Sequence, residues 1–93
     1  MRTEDLMTES LIQRDIVRCL RVKGFYVIKI SDRFRSGIPD LYAARDGKSY
    51  WFEVKRPGGK VEKLQEYEIE KLRATGITAA VVRSVSDVEV LIP

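Results

Sequence analysis

The sequence predicts one α/β domain with the element order α-β-β-β-α-β, and three observations predict it. Apolar residues recur first at helical spacing, then in short aromatic and β-branched runs, then at helical spacing again before a last apolar run. An Asp-Gly pair joins two of those runs in the manner of a hairpin turn. No linker, repeat or low-complexity tract divides the chain, so residues 1–93 read as a single domain.

Thr3 or Thr8 can cap the first helix, which has acids in its opening turns and Gly24 as its stop. Ile12, Ile16, Cys19 and Leu20 form its apolar stripe, which makes the lone Cys19 a packing residue. Residues 25–30 (Phe-Tyr-Val-Ile-Lys-Ile) read as a strand. A polar loop follows, carrying Arg33, Arg35 and Gly37. Residues 41–44 and 49–54 are two further strands around Arg45-Asp46-Gly47-Lys48, where Gly tolerates the positive φ of a tight turn. Arg56-Pro57-Gly58-Gly59-Lys60 breaks the chain before a second helix over about 61–74, which Gly76 stops. Residues 77–82 are continuously apolar, as expected of a strand covered on both faces. Ser86 could cap a last short helix through Leu91, or the tail could be an edge strand.

Composition excludes several chemistries. There is no histidine, hence no His-ligated zinc, no Ser-His-Asp or Cys-His nucleophile and no imidazole base. A single cysteine excludes disulfide frameworks and Cys-rich zinc sites, and fits a reducing compartment. The apolar runs are far too short for a membrane span or a signal h-region, so a cytoplasmic protein is expected. A chain this short buries only roughly 60–65% of its unfolded surface, and a partner subunit would help it.

The hairpin makes a geometric prediction. With Asp46 and Gly47 as turn residues, Arg45 opposes Lys48, and cross-strand partners have numbers summing to 93. Asp40 then lies opposite Glu53, on one face, with Cβ atoms roughly 4.5–5.5 Å apart. Two carboxylates so placed repel unless a cation sits between them, and the period of two sets Lys55 on the face of Glu53. Glu-x-Lys is common on solvated strands. Here, however, Tyr50, Phe52 and Val54 line one side and Trp51 the other, so the strand reads as internal and its charges need partners. Both helices repeat the anomaly. Glu9 falls on the stripe of Ile12 and Ile16, and Gln65 interrupts the apolar face of Val61, Ile69 and Leu72. Glu9 could instead be a first-turn acid favoured by the helix dipole, and Gln65 a boundary residue reaching out to solvent.

Charge is uneven. Residues 33–63 hold eight bases (Arg33, Arg35, Arg45, Lys48, Lys55, Arg56, Lys60, Lys63) and four acids (Asp40, Asp46, Glu53, Glu62), a net +4 within a chain whose total is +3. Arg33, Arg35, Arg56 and Lys60 flank the two acids; each alone could be ordinary solubilising charge, but as a group they are expected to contact a phosphate backbone, the DNA-backbone contacts if the resemblance below holds. No base-reading motif accompanies them, which favours recognition by shape.

Gly37-Ile38-Pro39-Asp40, Glu53-Val54-Lys55 and Lys63-Leu64-Gln65, preceded by Glu9-Ser10-Leu11-Ile12-Gln13, resemble the PD-(D/E)xK nuclease superfamily. More closely, they resemble its VRR-NUC (virus-type replication-repair nuclease) family, over most of the chain and with no departure at a catalytic position. The resemblance implies a restriction-endonuclease-like core with a mixed central sheet flanked by helices. It also implies an endonuclease that hydrolyses DNA phosphodiesters with Mg²⁺ or Mn²⁺. Asp40 and Glu53 would be metal ligands, with Glu9 contributing directly or through water and the Val54 carbonyl completing the protein ligands. Lys55 would position the attacking water and Gln65 would support the site. Minimal, stand-alone members of the family are homodimers that can act on four-way (Holliday) junctions, and many belong to phages or prophages. The chemistry is consistent with these roles, since a hard divalent cation prefers oxygen donors and needs no histidine. The competing readings are a catalytically silent nucleic-acid-binding module, and a nuclease acting on RNA or on duplex sites.

Overall fold

A computed structural model describes residues 8–30 and 35–93. Thr3, one of the two candidate caps, and Arg33 lie outside the described residues. The other cap, Thr8, is the one in place: its hydroxyl accepts from the Leu11 amide at 3.2 Å and opens helix α1 (Glu9–Val22). Ile12, Ile16, Val17 and Leu20 are its buried face. It ends in a Schellman arrangement at Gly24, whose φ of 87° suits glycine, with the Gly24 amide on the Arg21 carbonyl and the Phe25 amide on the Leu20 carbonyl.

Strands β1 (Tyr26–Lys29), β2 (Leu41–Arg45) and β3 (Lys48–Val54) form an antiparallel meander. Asp46 and Gly47 both have positive φ, 52° and 77°, which makes the β2–β3 connection a type I′ turn. The register is the expected one: Arg45 pairs with Lys48 and Leu41 with Phe52. Helix α2 (Lys63–Ala74) then crosses over to β4 (Thr78–Val82), which runs parallel to β3 and completes a mixed sheet of order β1-β2-β3-β4. Helix α2 starts two residues later than its apolar spacing suggests, because Glu62 is the cap and Val61 lies outside.

The tail is helix α3 (Val85–Leu91), capped by Ser84 and not by Ser86: the Ser84 hydroxyl accepts from the Asp87 amide at 3.1 Å. α1 and α3 pack together on one side of the sheet and α2 packs along β4. The core joins Ile12, Ile16 and Leu20 of α1 to Leu41, Phe52, Val54 and Val82 of the sheet and to Val88 and Ile92. Ile92 is therefore a core residue, whereas Val90 and Leu91 before it are exposed. No helix among the described residues is long and apolar enough to cross a membrane.

Candidate active site

The site lies where the β2–β3 ladder stops. In a two-residue hairpin the hydrogen-bonded pairs are alternate ones, and Arg45–Lys48 and Leu41–Phe52 belong to that set. The next would be Pro39–Val54, and Pro39 has no N–H to give. The Val54 amide turns to the Asp40 carboxylate instead, at 2.8 Å. The Val54 carbonyl loses its ladder donor altogether. It also points away from β4, because the next amide, Lys55, is bonded to the Val82 carbonyl at 3.0 Å and a trans peptide sets the two groups in opposite directions. Proline thus frees one backbone oxygen on the side of Asp40.

Glu53 and Lys55 are both buried. The Lys55 ammonium is 3.8 Å from Glu53 Oε2, and the Gln65 amide nitrogen donates to the same oxygen at 3.2 Å. Gln65 is oriented for this by the helix it begins: its Oε1 accepts the Glu62 amide at 2.9 Å, which leaves the NH₂ end to face Glu53. A capping residue doubles as a site residue. The other oxygen, Glu53 Oε1, is buried and meets no N–H donor. Burial, the negative charge of Asp40 and a hydrogen bond shared with it push the Glu53 carboxyl up to about 8; Lys55 opposes the shift and Glu9 adds to it. The raised Glu53 carboxyl favours a proton between the two acids. A divalent cation would relieve the pair better, and the oxygens gathered here (Asp40, Glu53 and the Val54 carbonyl) are the donors a hard cation prefers.

Of the sequence-predicted residues, Asp40, Glu53, Val54, Lys55 and Gln65 converge. Glu9 is exposed in the first turn of α1, near enough for its charge to be felt at Glu53. Among the described residues no three acids are closed into a ready-made cage. Arg56 and Lys60 are exposed beside the site, on a loop whose Arg56 and Gly59 carbonyls are gripped by Arg83 at 2.8 and 2.9 Å. Arg35 is engaged within the protein: it forms an ion pair with the buried Glu68 of α2 at 2.5 Å.

Sequence reasoning missed Glu68, Arg83 and the role of Leu64. A Cβ on Gly37 would sit 2.6 Å from Leu64 Cγ, so the segment leading to Asp40 lies tight against the first turn of α2. Leu64, Gln65 and Glu68 together hold Gly37, Glu53 and Arg35. The signal was present, since Glu68 lies three residues beyond Gln65 on the same helix face.

The family model for the VRR-NUC domain matches residues 2–86. A solved VRR_NUC domain superposes with a TM-score of 0.78 at 31% identity, covering 91% of this chain and 95% of that one. A second VRR_NUC domain protein gives 0.75 at 21% identity, over 91% and 84%. The Archaeoglobus fulgidus protein Hjc, a Holliday junction resolvase from an archaeal hyperthermophile, gives 0.58 at 23% identity, over 73% of this chain and 60% of that one, and shares the fold. A sequence comparison with curated proteins finds no match.

Proposed function

Because the chain belongs to the VRR-NUC family of PD-(D/E)xK nucleases, we propose that it is a divalent-metal-dependent endonuclease that hydrolyses phosphodiester bonds in branched DNA. The observation that carries this reading is a pair of acids, Asp40 and the buried Glu53, set against Lys55 and Gln65, with the Glu53 carboxyl pushed up to about 8 chiefly by burial and by Asp40. Two carboxylates so placed need a counter-charge, which a divalent cation held by oxygen donors would supply. Asp40, Glu53 and the Val54 carbonyl would hold Mg²⁺ or Mn²⁺, with Glu9 assisting from α1. Bound there, the ion would polarise the phosphate, lower the pKa of a coordinated water and neutralise developing charge.

The chain's own residues do the rest. Lys55, a compact point charge 3.8 Å from Glu53, orients the attacking water and stabilises the charge gathering on the phosphoryl oxygens. Gln65 steadies Glu53 by donating to its Oε2. Arg56 and Lys60 meet the DNA backbone from the loop braced by Arg83. Four-way junctions are the leading substrate, supported by the likeness to a Holliday junction resolvase. Symmetric resolution requires two nicks and each chain carries one set of acids, so the active form is a homodimer.

Labelled four-way junction, flap and duplex DNA, with RNA in parallel, should be cut by the wild-type protein in Mn²⁺ or Mg²⁺ and not in EDTA. Asp40→Ala and Lys55→Ala should lose on the order of 10²–10⁴ in rate while keeping the native fold. Undiminished cutting by either variant overturns the site. Binding without cutting on every substrate would instead favour a silent binding module.

A further inference from the structure

The proposed site draws Arg56 and Lys60 from the basic segment between positions 33 and 63, and the structure assembles a second basic surface from outside that segment. Arg14, Arg18 and Arg21 recur at i, i+4 and i+7 on α1 and so share one flank of the helix. Lys29 of β1 faces them, and the four line a groove of about 330 Å³ floored by the buried Val17, with the exposed Val22 at its rim. Arg14 is held by its neighbour Asp15 at 3.1 Å. Arg18, Arg21 and Lys29 are exposed and have no ion pair among the described residues. The linear charge count hides this stripe because it is offset numerically by Glu9, which lies on the opposite side of the helix, and by Asp15, which engages Arg14 alone.

The groove is connected to the acids at one end. Lys29 pairs with Leu41, and the next residue, Ile30, donates its amide to the Asp40 carbonyl at 2.7 Å. The N-terminus of α1 lies at the same end, since the charge of Glu9 reaches Glu53. From Arg14 to Arg21 the helix advances roughly 10 Å. That is about the span of three nucleotides along one strand of B-DNA.

We infer that the seam between α1 and β1 is a second DNA-backbone surface, which takes the phosphates of an arm leading away from the cleaved bond. The inference rests on the nuclease reading and extends it. The site loop holds the scissile region, and the seam adds affinity and direction without reading bases. Exposed guanidinium groups with no ion pair among the described residues suit phosphate, because each can present two parallel N–H donors to it.

The test uses the full chain carrying Asp40→Asn, so that DNA is bound and not consumed. Its affinity for duplex and four-way junction is measured over a series of KCl concentrations, and the same is done with Arg18→Ala, Arg21→Ala and Lys29→Ala added. The added changes should weaken binding at least tenfold at low salt and make the plot of log K against log salt shallower by roughly 2–3. Arg18→Lys with Arg21→Lys should keep most of the slope, and Lys48→Ala at the far hairpin turn should leave it alone. An unchanged slope and affinity in the triple-alanine protein, with the parent melting temperature, overturns the inference. So does a change of oligomeric mass without a change of slope, since the seam would then be a protein contact. If the parent binds no DNA and the wild type cuts none, the nuclease reading falls first; if both succeed and only the seam variants are silent, the inference alone fails.

Discussion

On one face of β3, Tyr50, Phe52 and Val54 are sealed from solvent and packed against α1 and the neighbouring strands; on the other, Glu53 is buried with Lys55, just past the strand, and set against a second acid, Asp40. The backbone is the same and the side chains alternate, so the contrast comes from what each face was given to pack against. The apolar face gains free energy from every contact it makes. The polar face is held in an unfavourable arrangement by the stability of the apolar one. This difference explains how so small a chain can keep two acids together: Pro39 ends the ladder locally, and Phe52 and Leu41 fix the register immediately before it.

Breaking the favourable face should have the largest effect. Phe52 is fully buried at the centre of the core, and Phe52→Ala should cost roughly 3–5 kcal/mol through lost transfer free energy and a cavity. Against a typical total of about 5–15 kcal/mol this leaves the protein barely folded. Urea denaturation followed by the fluorescence of Trp51 would measure it. A loss below about 1 kcal/mol would mean that the core does not hold the site in register.

Relieving the unfavourable face should do the opposite. The Glu53 carboxyl is raised from 4.5 to about 8, so the folded state binds its proton more tightly than the unfolded chain does. That contribution is fully present below pH 4.5 and is lost as pH rises through 8. Without metal, wild-type stability should therefore decline across this window, by on the order of 3 kcal/mol at neutral pH. Glu53→Gln, which has no such proton to lose, should show no decline and should be the more stable protein at pH 8, yet it should not cut. Parallel pH profiles for the two proteins in EDTA would contradict the account. A smaller effect is expected at Gly37. Its φ of 86° disfavours any side chain, and a Cβ would press on Leu64, so Gly37→Ala should cost about 1–3 kcal/mol. Adding Leu64→Ala should recover only the steric part, which a double-mutant cycle would separate.

Much of this contrast was legible in the sequence because it depends on periods. The Asp-Gly turn fixed the pairing sum, and the pairing put Asp40 beside Glu53. The helical stripe of α1 and the alternation in β3 marked the core, and Gln65 stood out by interrupting an apolar face. What periodicity does not encode is contact between segments distant in the chain. Glu68 looked like an ordinary helix acid until Arg35 was seen to reach it across 33 residues. The stripe of Arg14, Arg18 and Arg21 was hidden by summing charges along the chain without regard to helix faces. Ser84 and Ser86 are both plausible caps by type, and the choice was made by the Asp87 amide, which only Ser84 meets.

Gln65 offers the finest test of the contrast, because it serves both regions with different atoms. Its carbonyl oxygen accepts the Glu62 amide and belongs to the stability of α2, while its amide nitrogen donates to Glu53 and belongs to the site. Gln65→Ala removes both and should cost about 1 kcal/mol, the ordinary value of a helix-start hydrogen bond. Gln65→Glu keeps the acceptor and replaces the donor with a further negative charge beside Glu53. It should preserve the helix start, and it should push the Glu53 titration higher, moving the pH at which metal-supported cutting begins upward. Circular dichroism at neutral pH and a pH–rate profile in Mn²⁺ would read the two jobs separately. If the alanine and glutamate proteins shift the profile alike, the amide nitrogen contributes nothing to the site and Gln65 is a cap alone.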